Sequence, residues 1–296
     1  MPASFFGSAE GGRDILDCSR LRRLESDVAE MLAKEGLVEI KTPIFEYYDL
    51  FTQTGSPIKQ ESMYKLTGSD GRILVLRPDT TTPVARLASM RLRDRPLKLF
   101  YIQPVFRAGG REILQAGVEW IGGGGDVELI ALAASLLKGL GLEGARIEIG
   151  HAAILRELGI ENEETHEFLA RKNFSAFQDY LENRLGVSEA RRITSLLSLY
   201  GKKDAIDEAK ALMPGLSALN ELEALSERLD MDVDMGLVGD MGYYTGAVFR
   251  GYAPGVPGAI ISGGRYDNLM KTLGQEESAL GFAVDLTAIA ENCFGK

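Results

Sequence analysis

The sequence predicts an α+β protein in which a helical insertion divides a β-rich core. Three observations carry this. Segments rich in β-formers lie in the first half of the chain, as at 72–76, 97–103 and 146–149. The same texture returns after Met231, at 246–249 and 258–263. Between them, from about Glu161 to Arg228, helix formers and charges dominate, with Phe168 and Leu169 followed by Phe174, Phe177, Leu181 and Leu185 three to four residues apart. Strands flanking a block of helices form a mixed core with an excursion, not a repeating βα unit. The expected division is 1–158 for the first part of the core, 159–230 for the insertion and 231–296 for the second part.

Taken in order, Leu21, Leu24, Val28, Met31 and Leu32 recur at helical spacing, and Gly36 supplies the stop. Thr42-Pro43-Ile44-Phe45 is extended, because a residue before proline avoids the helical region. Arg72–Leu76 and Leu97–Gln103 are predicted strands, and Val118–Ile121 continues that character. Asp126 is expected to cap a helix running through Leu137, and Arg146–Ile149 alternates as a half-buried strand does. Pro214-Gly215 breaks the helical block, and Glu277–Ala290 is a strand feeding a helix.

Composition narrows the function classes. A net charge of −10 repels phosphate overall, which counts against nucleic acid as a partner. Cys18 and Cys293 form no spaced framework and are read as reduced thiols in a cytoplasmic setting. Met1–Arg13 has neither the cationic start nor the apolar centre of a leader, and Leu129–Leu142 is too short and too interrupted for a bilayer, so no membrane association is expected. His151 and His166 have no ligand-type neighbours in sequence, so no metal site is expected, and no cofactor motif is present. Gly122–Gly125 lacks the Gly-Lys-Ser/Thr ending of a phosphate loop and reads as a turn before a helix. Arg86, Arg91, Arg93, Arg95 and Lys98 are a solvated helix end, with phosphate contact as the alternative.

Three stretches carry chemistry. They are Leu76-Arg77-Pro78-Asp79-Thr80-Thr81-Thr82-Pro83, then Val105-Phe106-Arg107 with Gln115-Ala116-Gly117-Val118-Glu119, then Gly242-Tyr243-Tyr244-Thr245-Gly246 with Gly263-Gly264-Arg265-Tyr266-Asp267 and Gly281-Phe282-Ala283. Carboxylates, an amide, hydroxyls and a tyrosine pair on strand-like segments make an amino-acid pocket, with a structural ion pair as the competing reading of each acid.

The order of these stretches resembles the histidyl-tRNA synthetase core from about residue 10 onward. Pro43 matches that family's dimer-interface proline, Phe106-Arg107 through Glu119 its second motif, and Tyr243-Tyr244-Thr245 its histidine-recognition segment. The resemblance implies a class II synthetase-like antiparallel sheet flanked by helices, built as a homodimer. It implies that Asp79 and Thr81, with Gln115, hold a ligand's ammonium, and that Glu119 and one of Tyr243 or Tyr244 read an imidazole. Asp79 is one methylene shorter than the family's usual glutamate.

Departures from the family decide the expected function. Adenylate formation brings two anions together and needs cationic groups. Arg107 remains as a residual phosphate-type residue. Ala288 and Gly239 stand where two further arginines are expected, and Asp240 adds a negative charge. A phosphoryl-centre arginine is worth ~10³–10⁵ in rate. The chain also ends soon after the third motif, which leaves no room for an anticodon-binding domain, so tRNA is not an expected partner. An amino-acid pocket without ATP chemistry resembles the regulatory subunits of ATP phosphoribosyltransferase, and Gly236–Gly246 is close to that family's own version. The resemblance implies a non-catalytic subunit that partners the short-form catalytic subunit and takes histidine as effector. The rival expectations are an active histidine-activating enzyme, favoured by Arg107, Arg111 and Arg265, and a scaffold that no longer binds histidine.

Overall fold

The structure is a computed structural model and describes residues 18–293, apart from 57, 92–93, 108, 110 and 240–242. Arg93, Asp240, Met241 and Gly242, named above, lie outside the described residues, as does the amino-terminal segment.

The first helix, α1 (Ser19–Lys34), buries Leu24, Val28 and Leu32 at the predicted spacing, and Gly36 follows its end at φ +78. Then come β1 (Val38–Glu39), β2 (Phe45–Tyr47), α2 (Tyr48–Gln53), β3 (Lys65–Thr67), β4 (Ile73–Leu76) and α3 (Thr81–Arg91). A long hairpin, β5 (Leu97–Arg107) and β6 (Arg111–Ile121), leads to α4 (Asp126–Gly139), β7 (Arg146–His151) and α5 (Ala153–Glu157). The helical stretch holds α6 (Glu163–Ala170), α7 (Phe174–Leu185), α8 (Val187–Leu197), β8 (Tyr200–Gly201), α9 (Lys203–Leu212) and α10 (Ser217–Leu229). The chain closes with β9 (Asp232–Asp234), β10 (Ala247–Tyr252), β11 (Ile261–Arg265), α11 (Asp267–Thr272), β12 (Ala279–Asp285) and α12 (Leu286–Asn292).

Nine strands form one sheet in the order β1-β5-β6-β12-β11-β10-β7-β9-β8. Its pairs are antiparallel except β1–β5 and β7–β9. A second sheet, β2-β4-β3, stands apart from it. This is the class II synthetase-like sheet expected above.

The register explains why the two faces of the large sheet differ. Paired residues point to the same side, and neighbours along a strand point to opposite sides. The row Phe100, Val118, Phe282, Gly263, Phe249 and Ile149 faces the buried core, where α1, α4, α10 and α12 pack. The next row, Leu99, Glu119, Gly281, Gly264, Val248 and Gly150, faces the other way. Three glycines in that row keep this second face shallow, and a Cβ on Gly281 would lie 2.1 Å from Glu119 Oε2 and 2.4 Å from the Val118 carbonyl oxygen.

The helical stretch shares the core of the sheet. Leu169, Phe177 and Leu181 are buried in one cluster with Ile149, Val233 and Phe249, while Leu185 is exposed. β8 lies within this stretch and extends the sheet by pairing with β9. Pro214-Gly215 sits between α9 and α10, where the break was expected.

Some local expectations need correction. Gly125, not Asp126, is the N-cap of α4. Asp126 occupies the first turn and its carboxylate goes to Arg265 at 2.7 Å instead, so a stronger charged partner displaces the cap role. The strand expected at 258–263 begins at Ile261, not Gly258, because 258–260 is taken up in the turn from β10. The β5–β6 hairpin is longer than the apolar pattern showed, since polar Gln103, Arg107, Arg111 and Gln115 all belong to it. Among the described residues no helix is long and apolar enough to cross a membrane.

Candidate amino-acid site

The face of the sheet opposite the buried core gathers most of the residues singled out above. Glu119, in the middle of β6, is 1% exposed. Its Oε2 accepts the hydroxyl proton of Tyr266, which lies at the corner between β11 and α11. Its Oε1 is buried and has no hydrogen-bond partner among the described residues. Burial pushes the Glu119 carboxyl up to about 8, against the pull of the Tyr266 and Thr81 hydroxyls. A buried acceptor left without a donor costs ~1–3 kcal/mol. A ligand that donates to Oε1 removes that cost.

Phenols surround this carboxylate. Tyr243 stacks on Tyr266 with ring centroids 5.5 Å apart and meets Tyr244 edge-on at 5.0 Å. Burial raises the hydroxyls of Tyr101, Tyr243 and Tyr266 well above their ordinary value, so all three stay neutral donors. Tyr266 is the residue sequence reasoning missed. The stretch Gly264-Arg265-Tyr266-Asp267 was in view, but nothing in it distinguishes a phenol that reaches back across two strands from one that packs locally. Arg156 holds the carbonyls of Tyr244 and Thr245 at 3.2 and 2.9 Å, which fixes the tyrosine segment from outside.

Asp79 approaches from the segment before α3. Its Oδ1 accepts the Thr82 backbone N–H at 2.8 Å, so the carboxylate caps that helix. Oδ2 accepts weakly from Thr82 Oγ1 at 3.3 Å and Ser56 Oγ at 3.4 Å. Lost solvation raises the Asp79 carboxyl, and the Thr82 bonds and the Arg107 charge oppose the rise. The Thr81 hydroxyl acts on Glu119, Tyr101 and Tyr243 together, which places it at the centre of the group. Gln115 is two pairs along β6 from Glu119 on the same face, opposite Gln103 and Asp285. Gln103 is committed to Thr42, whereas Gln115 is half-buried.

In the phosphate-type region, Arg107 Nε is buried without a hydrogen-bond partner among the described residues. Asp285 caps α12 through the Ala288 N–H at 2.8 Å, so Ala288 lies in the first turn of that helix. The charges of both Arg111 and Arg107 act on Asp285, and Arg107 acts on Asp79 as well. Arg265 is held by Asp126 at 2.7 Å and by Asp267 at 3.6 Å, so it is a structural residue. Gly239 has φ +71, and a Cβ there would lie 2.6 Å from the Tyr244 ring.

Other sequence features fall elsewhere. Arg86 pairs with Glu46 at 2.7 Å, Arg95 with Glu277 at 2.7 Å, and Lys98 lies over the Trp120 ring. Within the basic cluster Arg86 and Arg95 are thus partly buried ion-pair members, while Arg91 and Lys98 are exposed, as a solvated helix end requires. Gly124 turns at φ +94 against Trp120, ahead of α4. His151 is buried on β7 and meets Glu221 of α10 at 2.9 Å, away from the site.

Comparison with known proteins gives a consistent set of likenesses. A family model described as histidyl-tRNA synthetase matches residues 13–289. The ATP phosphoribosyltransferase regulatory subunit of Clostridium kluyveri is 36% identical over 316 residues, covering 96% of this chain and 81% of that one. The regulatory subunit of Moorella thermoacetica is 38% identical over 308 residues, covering 93% and 79%. Among solved structures, an ATP phosphoribosyltransferase regulatory subunit/histidyl-tRNA synthetase from Bacillus halodurans superposes with a TM-score of 0.88 at 34% identity, covering 98% of this chain and 84% of that one. A histidine–tRNA ligase subunit from Alicyclobacillus acidocaldarius superposes at 0.82 with 25% identity, covering 96% of each.

Proposed function

Because this chain belongs to the ATP phosphoribosyltransferase regulatory subunits, a family built on the histidyl-tRNA synthetase fold, we propose that it is a non-catalytic subunit that binds histidine. In this reading it completes the activity of a short-form catalytic subunit in the first step of histidine biosynthesis, in the cytoplasm. Histidine bound here then lowers that activity.

The observation that carries the reading is Glu119: a fully enclosed carboxyl group with one oxygen taken by Tyr266 and the other unanswered. A neutral imidazole offers one N–H and one lone pair. Glu119 complements one ring nitrogen in either of its protonation states, accepting when ionised and donating when protonated. Asp79 and Thr81 lie beside it to receive an ammonium group, with Gln115 further along the same face.

Catalysis is not part of the reading. The charge of Arg107 acts on Asp79 and Asp285 and that of Arg111 on Asp285, and Ala288 and Gly239 bring no guanidinium to the face where a nucleotide would lie. Feedback needs a coupling free energy between two sites of ~1–3 kcal/mol, carried by a second global state of the complex.

A homodimer through the small sheet belongs to the same reading. Phe45, Leu66 and Ile73 on that sheet are 50%, 44% and 49% exposed, and Ile44 and Tyr47 lie beside them. Exposed apolar residues clustered on one sheet mark an association surface.

The test is co-expression with a short-form phosphoribosyltransferase. Activity that requires this chain and falls on adding histidine supports the proposal. Activity that requires the chain but ignores histidine, with no heat of histidine binding, replaces it by a scaffold. Histidine-dependent pyrophosphate exchange by the chain alone replaces it by an activating enzyme.

A further inference from the structure

Between the helical stretch and the second face of the sheet lies a cavity of about 600 Å³. Its floor is Arg250 and Tyr252 of β10, one wall is the segment 236–239, and its roof is α6 with Ser56, Ile58, Lys59 and Gln60. Most charges around it are matched. Lys59 pairs with Glu163 at 3.1 Å, Arg171 with Glu167 at 2.5 Å, and Lys172 with Asp234 at 2.5 Å. Arg250 is different: it forms no ion pair among the described residues, and its guanidinium acts on the Tyr252 hydroxyl. His166 donates Nδ1–H to the Gly239 carbonyl at 3.0 Å. Its Nε2 is buried without a hydrogen-bond partner, Glu161 being 3.6 Å away. One net positive charge and one unanswered buried nitrogen call for a polar, singly anionic group.

The cavity meets the amino-acid site at two points. Ser56 lines it and also reaches Asp79. Gly239 lines it and lies against Tyr244 and Val248. Arg250 is two residues beyond Val248 and shares a cross-strand row with Glu148 on one side and with Ser262, Ala283 and Gly117 on the other. That row lies on the same face as Glu119; small Ser262 and Ala283 lie between the two ends, beside the Tyr244 ring over Gly264 and the Tyr101 ring over Gly117. Three strand spacings, ~14 Å, separate β6 from β10. A histidine with a hydrogen bond of ~2.9 Å at each end spans roughly 12 Å.

An amino acid carries three polar ends. Glu119 answers a side chain and Asp79 an ammonium, but neither answers a carboxylate. Arg107, whose Nε is also buried without a partner among the described residues, lies where its charge acts on Asp79 and Asp285. We infer that Arg250 binds the α-carboxylate of the amino acid read at Glu119, in the cavity roofed by α6, with His166 fixing the Gly239 wall. This rests on the histidine-binding reading above and adds the group that separates an amino acid from its decarboxylated or reduced relatives.

The test compares L-histidine with L-histidinol, which has a hydroxymethyl group in place of the carboxylate, by calorimetric titration into the full chain. Wild type is expected to prefer histidine. Arg250→Gln is expected to weaken histidine by roughly 30-fold or more while leaving histidinol unchanged, since losing one partner of an enclosed charge pair costs at least that much. Unchanged histidinol binding also shows that the variant is folded. Arg250→Lys, which keeps the charge, is expected to retain part of the preference, and does so even if the glutamine variant fails to fold. Equal losses for both ligands, or an undiminished preference in Arg250→Gln that Arg107→Gln abolishes, overturn the inference in favour of Arg107. A wild type that binds neither ligand sinks the histidine-binding reading itself, and this inference with it.

Discussion

The Tyr266 phenol, at the end of β11, donates to the Glu119 carboxylate on β6, with β12 lying between the two strands. Both side chains are enclosed, and the bond ties the corner before α11 to the centre of the sheet. It leaves one carboxylate oxygen to a ligand and fixes where that oxygen points.

Removing the phenol hydroxyl tests this arrangement. Tyr266→Phe leaves the ring stacked on Tyr243 but strips Glu119 of its donor. The variant is expected to lose about 1–3 kcal/mol of stability, the cost of an unsatisfied buried acceptor. Urea unfolding at pH 7.5 measures it. A variant as stable as wild type would show that the bond contributes nothing.

The Glu119 carboxyl gives stability a definite dependence on pH. It titrates at about 8 in the folded chain and near its ordinary value of 4.5 once unfolded. The folded state therefore holds a proton that the unfolded state has released, and stability falls as pH rises between those values. The contribution is whole below about 4.5, shrinks through the window and levels off above about 8. At ~1.4 kcal/mol per unit the total is roughly 3–5 kcal/mol. Glu119→Gln mimics the protonated acid, so its stability relative to wild type should climb from pH 5 to pH 8.5. Parallel curves for the two proteins would contradict this.

Gly281 is expected to tolerate no side chain. A Cβ there meets Glu119 Oε2 and the backbone oxygen of Val118 at the distances given above, and the backbone cannot swing aside as a side-chain tip does. Gly281→Ala should cost at least ~2 kcal/mol through overpacking. Histidine binding should be lost even at temperatures where the fold survives. Calorimetry and circular dichroism on the same sample separate the two effects.

The exposed apolar sheet predicts the oligomeric state. Phe45→Glu, on the half-exposed side of β2, should convert a dimer to monomer with little change in monomer stability. Sedimentation velocity of the two proteins decides it, and an unchanged sedimentation coefficient would exclude this face as the contact.

Much of this architecture is legible in the sequence for identifiable reasons. Leu24, Val28 and Leu32 mark α1 because a helix buries one stripe. The helical stretch announces itself by composition and spacing. β3 and α2 escape notice because they are short and carry mixed polar residues, whereas α3 shows in the sequence only as the helix end that carries Arg86 and Arg91. Among the site residues, Glu119, Tyr243 and Thr81 come together as the order of motifs implies. Tyr266 does not stand out, since its partner is distant in sequence and only the register of β6, β12 and β11 brings the two near. Arg250 is equally silent: in sequence it is one polar residue in an apolar strand. What separates it from Arg265, fifteen positions on, is that Arg265 pairs with Asp126 while Arg250 forms no ion pair among the described residues.

The roof and floor of the cavity come from separate stretches of chain. α6 is fastened over the sheet by His166 on the Gly239 carbonyl and by Lys172 on Asp234. Those two fastenings tie the shape of the cavity to the position of the helical stretch over the sheet. Whatever docks on that stretch from outside therefore bears on the geometry of the cavity beneath it.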